Sequence, residues 1–196
     1  MIGDTRKNYP MLNFLDACLK GIDGFIAGGC FRSIYDGNPP RDIDMFFRSK
    51  ADFSRARDIY AGNGWETIYE NENATGFRKK GMIDVDLVRS VYGTPEEILS
   101  NFDFTVTKFI MDDQKVVFAK TYWRDLHFKA LSCDDRIPFP VGTFERAWRY
   151  AKYGYFMGRK TKIALIEAIQ SLGSVCEYSC ASDFYHGSPY QIGGKR

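Results

Sequence analysis

Two short stretches, set close together, constrain this chain more than anything else in it. The first runs Ile26-Ala27-Gly28-Gly29-Cys30-Phe31-Arg32-Ser33, and the second runs Arg41-Asp42-Ile43-Asp44-Met45-Phe46-Phe47. The first reads as the end of an apolar strand, a glycine pair and a short helix. The second reads as a strand with two carboxylates one residue apart. Side chains alternate along a strand, so Asp42 and Asp44 share a face, about 7 Å apart at their backbones. Ionised carboxylates on one face repel each other, and they are seldom buried without a partner. A divalent cation removes that conflict. Mg²⁺ in particular is usually held by one or two carboxylates together with phosphate oxygens of a substrate. Gly28 and Gly29 lack a Cβ, so a phosphate can approach backbone N–H groups closely, and a helix start favours anions. The unit therefore implies a site for Mg²⁺ and a nucleoside triphosphate. An Asp-Ile-Asp strand after a Gly-Gly turn also suits an ordinary solvated surface strand.

The rest of the composition sets bounds. A chain of 196 residues can bury a substantial core as one compact unit, or as one domain with a small appendage. The net charge is +2, so nucleic-acid binding would have to come from a local basic face. Five scattered cysteines, an odd number, imply reduced thiols in a cytoplasmic protein rather than a disulfide framework. The start, Met1-Ile2-Gly3-Asp4-Thr5-Arg6-Lys7, has no apolar segment behind it, and no apolar run is long enough for a bilayer. No membrane partner is expected, and the oligomeric state is open.

Periodicity predicts a helix over 11–20, with Leu12, Leu15 and Leu19 at helical spacing and Phe14 and Cys18 beside them. A strand over 24–27 leads into the glycine pair, and a short helix follows over 31–35. Ser49 caps a predicted helix over 50–61, and strands follow over 65–70, 76–80 and 82–88. Thr94-Pro95-Glu96-Glu97 is a helix start, with a capping hydroxyl and acids in the first turn. A hairpin is predicted from 104–111 and 115–119. Helices are predicted over 121–131, over 143–157 from a Thr143 cap, and over 161–172; residues 173–196 read as an irregular tail.

Gly28-Gly29, twelve intervening residues and Asp42-Ile43-Asp44 resemble the signature of the DNA polymerase β-like nucleotidyltransferase superfamily. Gly28-Gly29-Cys30-Phe31-Arg32 with Pro40-Arg41-Asp42-Ile43-Asp44 is most similar to the head domain of class II tRNA CCA-adding enzymes and bacterial poly(A) polymerases. The resemblance spans roughly residues 24–157 and implies an α+β fold, a mixed sheet with flanking helices followed by a small helical region. The expected organisation is a minimal, stand-alone version: a catalytic head over 1–120, a helical neck-like region over 121–172 and a tail over 173–196.

The resemblance also implies roles. Asp42 and Asp44 would hold two Mg²⁺ ions, with Mn²⁺ as a possible substitute, and Gly28, Gly29 and Arg32 would contact the triphosphate. A third carboxylate should come from residues 83–89; the distance to Arg89 puts Asp84 where the family's acid sits, with Asp86 as competitor. Phe102-Asp103-Phe104-Thr105-Val106-Thr107 resembles the family's Arg-Arg-Asp-Phe-Thr-Ile-Asn segment, which contacts the incoming nucleotide. Asp103 is kept, Asn101 and Phe102 stand at the arginine positions, Thr107 stands for the asparagine, and Lys108 is a compensating cation. Thr143-Phe144-Glu145-Arg146-Ala147-Trp148-Arg149 resembles the base-reading Glu-Asp-x-x-Arg motif, with Arg146 replacing the aspartate. Glu145 and Arg149 also suit a simple i,i+4 helix ion pair. Phe144, Trp148, Tyr150, Tyr153 and Tyr155 interleave with Arg146, Arg149 and Lys152, and Arg159, Lys160 and Lys162 follow. That pattern fits either a face for single-stranded nucleic acid or core aromatics with a solvated rim. Cys176, Cys180 and His186 fit no common zinc spacing and lack a fourth ligand.

The expected reaction is transfer of a nucleoside monophosphate from an NTP to a hydroxyl, with an RNA 3′ end as the first choice of acceptor. The alternatives are nucleotidylation of a protein or small molecule, and a nucleotide- or RNA-binding protein without turnover.

Overall fold

The computed structural model describes residues 1–134 and 137–172. Contacts divide the chain into two units, the first over residues 1–128 and the second beginning at Lys129. The first unit runs β1 (Ile2–Thr5), α1 (Asp16–Leu19), β2 (Phe25–Ala27), α2 (Gly29–Tyr35), β3 (Asp42–Phe47), α3 (Lys50–Gly62), β4 (Glu66–Glu70), β5 (Ala74–Arg78), β6 (Asp84–Tyr92), α4 (Pro95–Ser100), β7 (Phe109–Met111), β8 (Lys115–Phe118) and α5 (Tyr122–His127). The described part of the second unit holds β9 (Ala130–Leu131), α6 (Pro140–Ala151), β10 (Phe156–Met157) and α7 (Arg159–Gln170), with β9 and β10 paired in parallel.

Eight strands of the first unit form one mixed sheet in the order β1-β8-β7-β2-β3-β6-β5-β4. Only β3 and β6 pair in parallel; their neighbours are antiparallel. The alternation in β3 and β6 sorts residues between the two faces. Ile43, Met45, Val85 and Leu87 point into the larger core, with Leu12, Leu15, Phe31, Phe53, Tyr60, Phe77 and Phe109. Each such side chain, fully buried, contributes about 1.5–3 kcal/mol by leaving water. A smaller cluster of Phe25, Ala27, Phe46, Ile98, Leu99 and Ile110 covers part of the opposite face. Asp42, Asp44, Asp84 and Asp86 lie on that second face, at its uncovered end.

The caps of α3 and α4 form as the sequence predicts. The Ser49 hydroxyl accepts the Asp52 N–H at 3.3 Å, and the Glu97 carboxylate accepts the Thr94 N–H at 2.8 Å while Thr94 accepts the Glu97 N–H. Elsewhere the elements differ. The 11–20 segment splits into a 3₁₀ helix, Pro10–Leu15, and the short α1; Leu12, Leu15, Cys18 and Leu19 are buried but Phe14 is exposed. Thr105–Thr107 is a 3₁₀ turn rather than the start of a strand. Helix α6 begins at Pro140, and Thr143 is not its cap: the Thr143 hydroxyl donates to the Phe139 carbonyl at 2.8 Å, one turn back. β1 is an addition that the sequence did not signal.

The Thr105 turn is fixed by a buried carboxylate. Asp125 is 1% exposed; its Oδ2 accepts the hydroxyls of Thr105 at 2.6 Å and Thr121 at 2.7 Å, and its Oδ1 accepts both Nε and Nη2 of Arg124. Asp125→Ala would strand two hydroxyls, and is expected to lower stability by about 2–3 kcal/mol. Urea unfolding with an unchanged slope would register that loss.

Candidate active site

The parallel register of β3 and β6 sets Asp42 opposite Asp84 and Asp44 opposite Asp86. Four carboxylates therefore form a two-by-two block on one sheet face. Their environments separate them. Arg78, at the end of β5, grips Asp84 with two nitrogens, Nη2 to Oδ2 at 2.6 Å and Nε to Oδ1 at 3.0 Å. That pairing holds the Asp84 carboxyl below the usual carboxylate range. Arg41 pairs with Asp42 at 2.6 Å, with most of the Arg41 side chain in solvent. Among the described residues no cation forms an ion pair with Asp44, and Arg41 acts on it only through its nearby charge. Burial first, then the charges of Asp42 and Asp86, push its carboxyl up to about 8. Asp86 is also raised, chiefly by burial, with Asp42 and Asp84 adding repulsion. The electrostatic strain of the block thus falls on Asp44 and Asp86, the inner pair.

The glycine turn abuts this pair. Gly28, between β2 and α2, has φ +96° and ψ −150°, a conformation open to glycine alone. A Cβ there would lie 3.0 Å from the Phe102 ring and 3.4 Å from Asp44 Oδ2. The Gly28 N–H donates to the Phe109 carbonyl at 3.0 Å and so takes part in the sheet. Gly28 acts by leaving space beside Asp44, while Gly29 opens α2. Gly28→Ala is expected to add strain of about 1–3 kcal/mol and to push Phe102 or Asp44 aside. A lowered melting temperature would register the strain.

Arg32 is buried and pairs with Asp36 at 3.6 Å. Asp103 and Lys108 are both buried. Phe102, at one of the two arginine positions, packs its ring 5.6 Å from that of Phe46. Glu145 and Arg149 lie on α6 in the second unit; among the described residues no ion pair joins them, so the simple helix pair is not formed. The same unit exposes Phe144, Trp148, Tyr153 and Phe156. Cys176, Cys180 and His186 lie outside the described residues. Cys18 and Cys30 are buried thiols.

Carboxylate oxygens are hard donors of the kind Mg²⁺ and Mn²⁺ prefer, and Asp44 and Asp86 would both be relieved by a nearby cation. Among the described residues no three acid, thiol or imidazole side chains close into a ready-made cage. An open carboxylate face suits a cation that also takes ligands from substrate phosphates. Arg78 was not foreseen from the sequence. The available signal was its place six residues before Asp84, across a turn containing Gly81.

Residues 5–129 match the model of a family described as Gabija anti-defense 2 family protein. The chain belongs to that family. A curated relative, Gabija anti-defense 2 of Bacillus phage SPbetaL7, is 25% identical over 167 residues, 83% of this chain and 42% of that protein. This Gabija anti-defense 2 family member thus spans less than half the length of that relative. Among solved structures it is similar to a CCA-adding enzyme in complex with CTP, with a TM-score of 0.66 at 15% identity over 92% of this chain and 49% of that one. The Thermotoga maritima CCA-adding enzyme complexed with tRNA gives a TM-score of 0.62 at 18% identity, over 87% and 46% of the two chains. A tRNA nucleotidyltransferase with a primer tRNA and an incoming ATP analogue gives 0.56 at 20%, over 82% and 50%. The family member therefore has the polymerase β-like nucleotidyltransferase fold, as the Gly-Gly and Asp-Ile-Asp stretches led one to expect. None of its helices among the described residues is long and apolar enough to cross a membrane.

Proposed function

We propose that this chain is a metal-dependent nucleotidyltransferase that moves a nucleoside monophosphate from an NTP to a hydroxyl, releasing pyrophosphate, and that its family uses this reaction against a bacterial defence system. The observation that carries the proposal is the strained carboxylate block on β3 and β6, set against the Gly28 turn. A chain without turnover would have no physical reason to keep four acids together at that cost. In this reading Asp42, Asp44 and Asp86 hold the divalent metal, Mg²⁺ or Mn²⁺. Asp86 takes precedence over Asp84, because Arg78 already neutralises Asp84. When bound, the metal would offset triphosphate charge and lower the pKa of the attacking hydroxyl. Gly28 leaves room beside Asp44 for the approaching phosphates. Arg41, paired with Asp42 at 2.6 Å and largely exposed, places a guanidinium beside the block, a group suited to a phosphate oxygen. Catalysis of this kind is mostly positioning and charge neutralisation.

The first acceptor class is an RNA 3′ end. The fold likeness to enzymes solved with CTP, with tRNA and with an ATP analogue supports it. A protein acceptor within the defence machinery is the second. It is favoured by the family's description and by Asn101 and Phe102, which depart from the RNA-extending pattern. The reaction would run in the cytoplasm, where NTPs and Mg²⁺ are available. The test is incubation with each α-labelled NTP and Mg²⁺ or Mn²⁺, against total RNA and against purified defence proteins. Label on RNA establishes the first acceptor and label on protein the second. Nucleotide binding without transfer to anything would replace the enzyme with a binding module.

A further inference from the structure

On the nucleotidyltransferase reading above, we propose that Tyr69 is a positioning residue that fixes the Asp86 carboxylate for metal binding. Three features of the sheet converge on this side chain. First, β4 is the edge strand, and its other residues Glu66, Thr67, Ile68 and Glu70 are exposed; Tyr69 alone is partly buried. The β4–β5 register shifts between Thr67 and Tyr69, an irregularity of the kind that re-aims a side chain.

Second, Tyr69 stands opposite Gly76 on β5, and Gly76 stands opposite Asp86 on β6. A Cβ on Gly76 would sit 2.2 Å from Tyr69 Cε1, 2.6 Å from Cδ1 and 2.8 Å from Cζ. The aromatic ring therefore occupies the space of the missing side chain. Gly76 is not among the glycines with positive φ, so the backbone does not call for glycine there. The ring does.

Third, Tyr69, Gly76 and Asp86 are successive cross-strand partners and share one face of the sheet, so the ring laid over Gly76 carries its hydroxyl towards Asp86; burial, and then the nearby Asp86, push the phenol up. Asp86 itself faces Asp44 across β6 and β3. The row Tyr69–Gly76–Asp86–Asp44 thus joins the sheet edge to the inner carboxylate pair. A phenol has a single proton to give, so in this role the hydroxyl takes one lone pair of Asp86 and leaves the rest for a cation. Hydrogen bonds of this sort orient ligating carboxylates, and their loss typically weakens metal binding by about 10–100-fold. A ring that merely covers a glycine would need no hydroxyl, and phenylalanine would serve as well.

Mn²⁺ titration of the full chain, with free Mn²⁺ read by electron paramagnetic resonance, separates these roles. The wild type should bind Mn²⁺ and Asp86→Asn should bind it much more weakly. Tyr69→Phe, which keeps the ring, should raise the Mn²⁺ dissociation constant by about 10-fold or more while melting close to the wild-type temperature. Gly76→Ala keeps the hydroxyl but drives the ring off β5, and should weaken binding similarly. Wild-type affinity in Tyr69→Phe would overturn the positioning role and leave the ring as a cover. Absence of Mn²⁺ binding by the wild type, or full binding by Asp86→Asn, would instead overturn the reading of the site on which this proposal rests.

Discussion

Asp44→Asn is expected to abolish nucleotidyl transfer and, at the same time, to make the folded protein more stable at alkaline pH. The two effects share a cause. Asp44 is the inner acid, raised from 3.8 to about 8 by burial and by Asp42 and Asp86. The folded state thus holds this proton more tightly than the unfolded chain does. Between about pH 4 and pH 8 the unfolded chain ionises the group while the folded state resists, so stability falls as pH rises through that window. Below pH 4 the group makes no difference, and above pH 8 the loss is complete. Asp44 keeps partial contact with solvent, which holds the penalty to the order of 2–4 kcal/mol. Asparagine removes the charge at nearly constant volume. Without divalent metal the variant should melt about 5–10 °C above the wild type at pH 9, and close to it at pH 5. Transfer should drop at least about 10²–10³-fold, the scale seen when one charge-stabilising group leaves an active site. A melting difference that does not change with pH would mean that Asp44 is not the strained acid.

The second large effect separates two neighbours. Asp86→Asn is expected to cost transfer at least about 10²-fold, whereas Asp84→Asn should stay within about threefold of the wild type. Asp84 is gripped by Arg78 and sits at the outer corner of the block; Asp86 is partly buried and repelled by Asp42. Steady-state rates at saturating Mg²⁺ decide the matter. The opposite ranking would return the third-ligand role to Asp84 and require Arg78 to release it.

The ranking marks where the sequence ran out. Counting back from Arg89 selects Asp84, because spacing within one strand is visible in a sequence. The guanidinium of Arg78 is supplied by the adjacent strand across a turn, and pairing between strands leaves no periodic trace in either one. Tyr69 is hidden for the same reason: its reach depends on a register shift in β4 and on the glycine beneath it. Gly76 was the one available signal, since a glycine inside a strand marks a close approach. What was legible had its cause within a few residues. The alternation of Asp42-Ile43-Asp44-Met45 fixed both the strand and its acidic face. Ser49 and Thr94 announced α3 and α4, because an N-cap is a local hydrogen bond. Thr143 misled by the same chemistry run in reverse: its hydroxyl donates one turn back, inside a helix that Pro140 had already begun. β1 carries the weakly β-prone sequence Ile2-Gly3-Asp4-Thr5 and exists only by pairing with β8, more than a hundred residues away.

The most direct test of the central claim uses ATP, and the other NTPs in turn, labelled either at the α- or at the γ-phosphate. Each would be incubated with Mg²⁺ or Mn²⁺ and a mixture of RNA and protein acceptors, beside the Asp42→Asn, Asp44→Asn double variant. The account predicts that α-label becomes attached to a macromolecule, that γ-label leaves as pyrophosphate, and that both disappear in the variant. Attachment of γ-label, or transfer that survives loss of both acids, would contradict it.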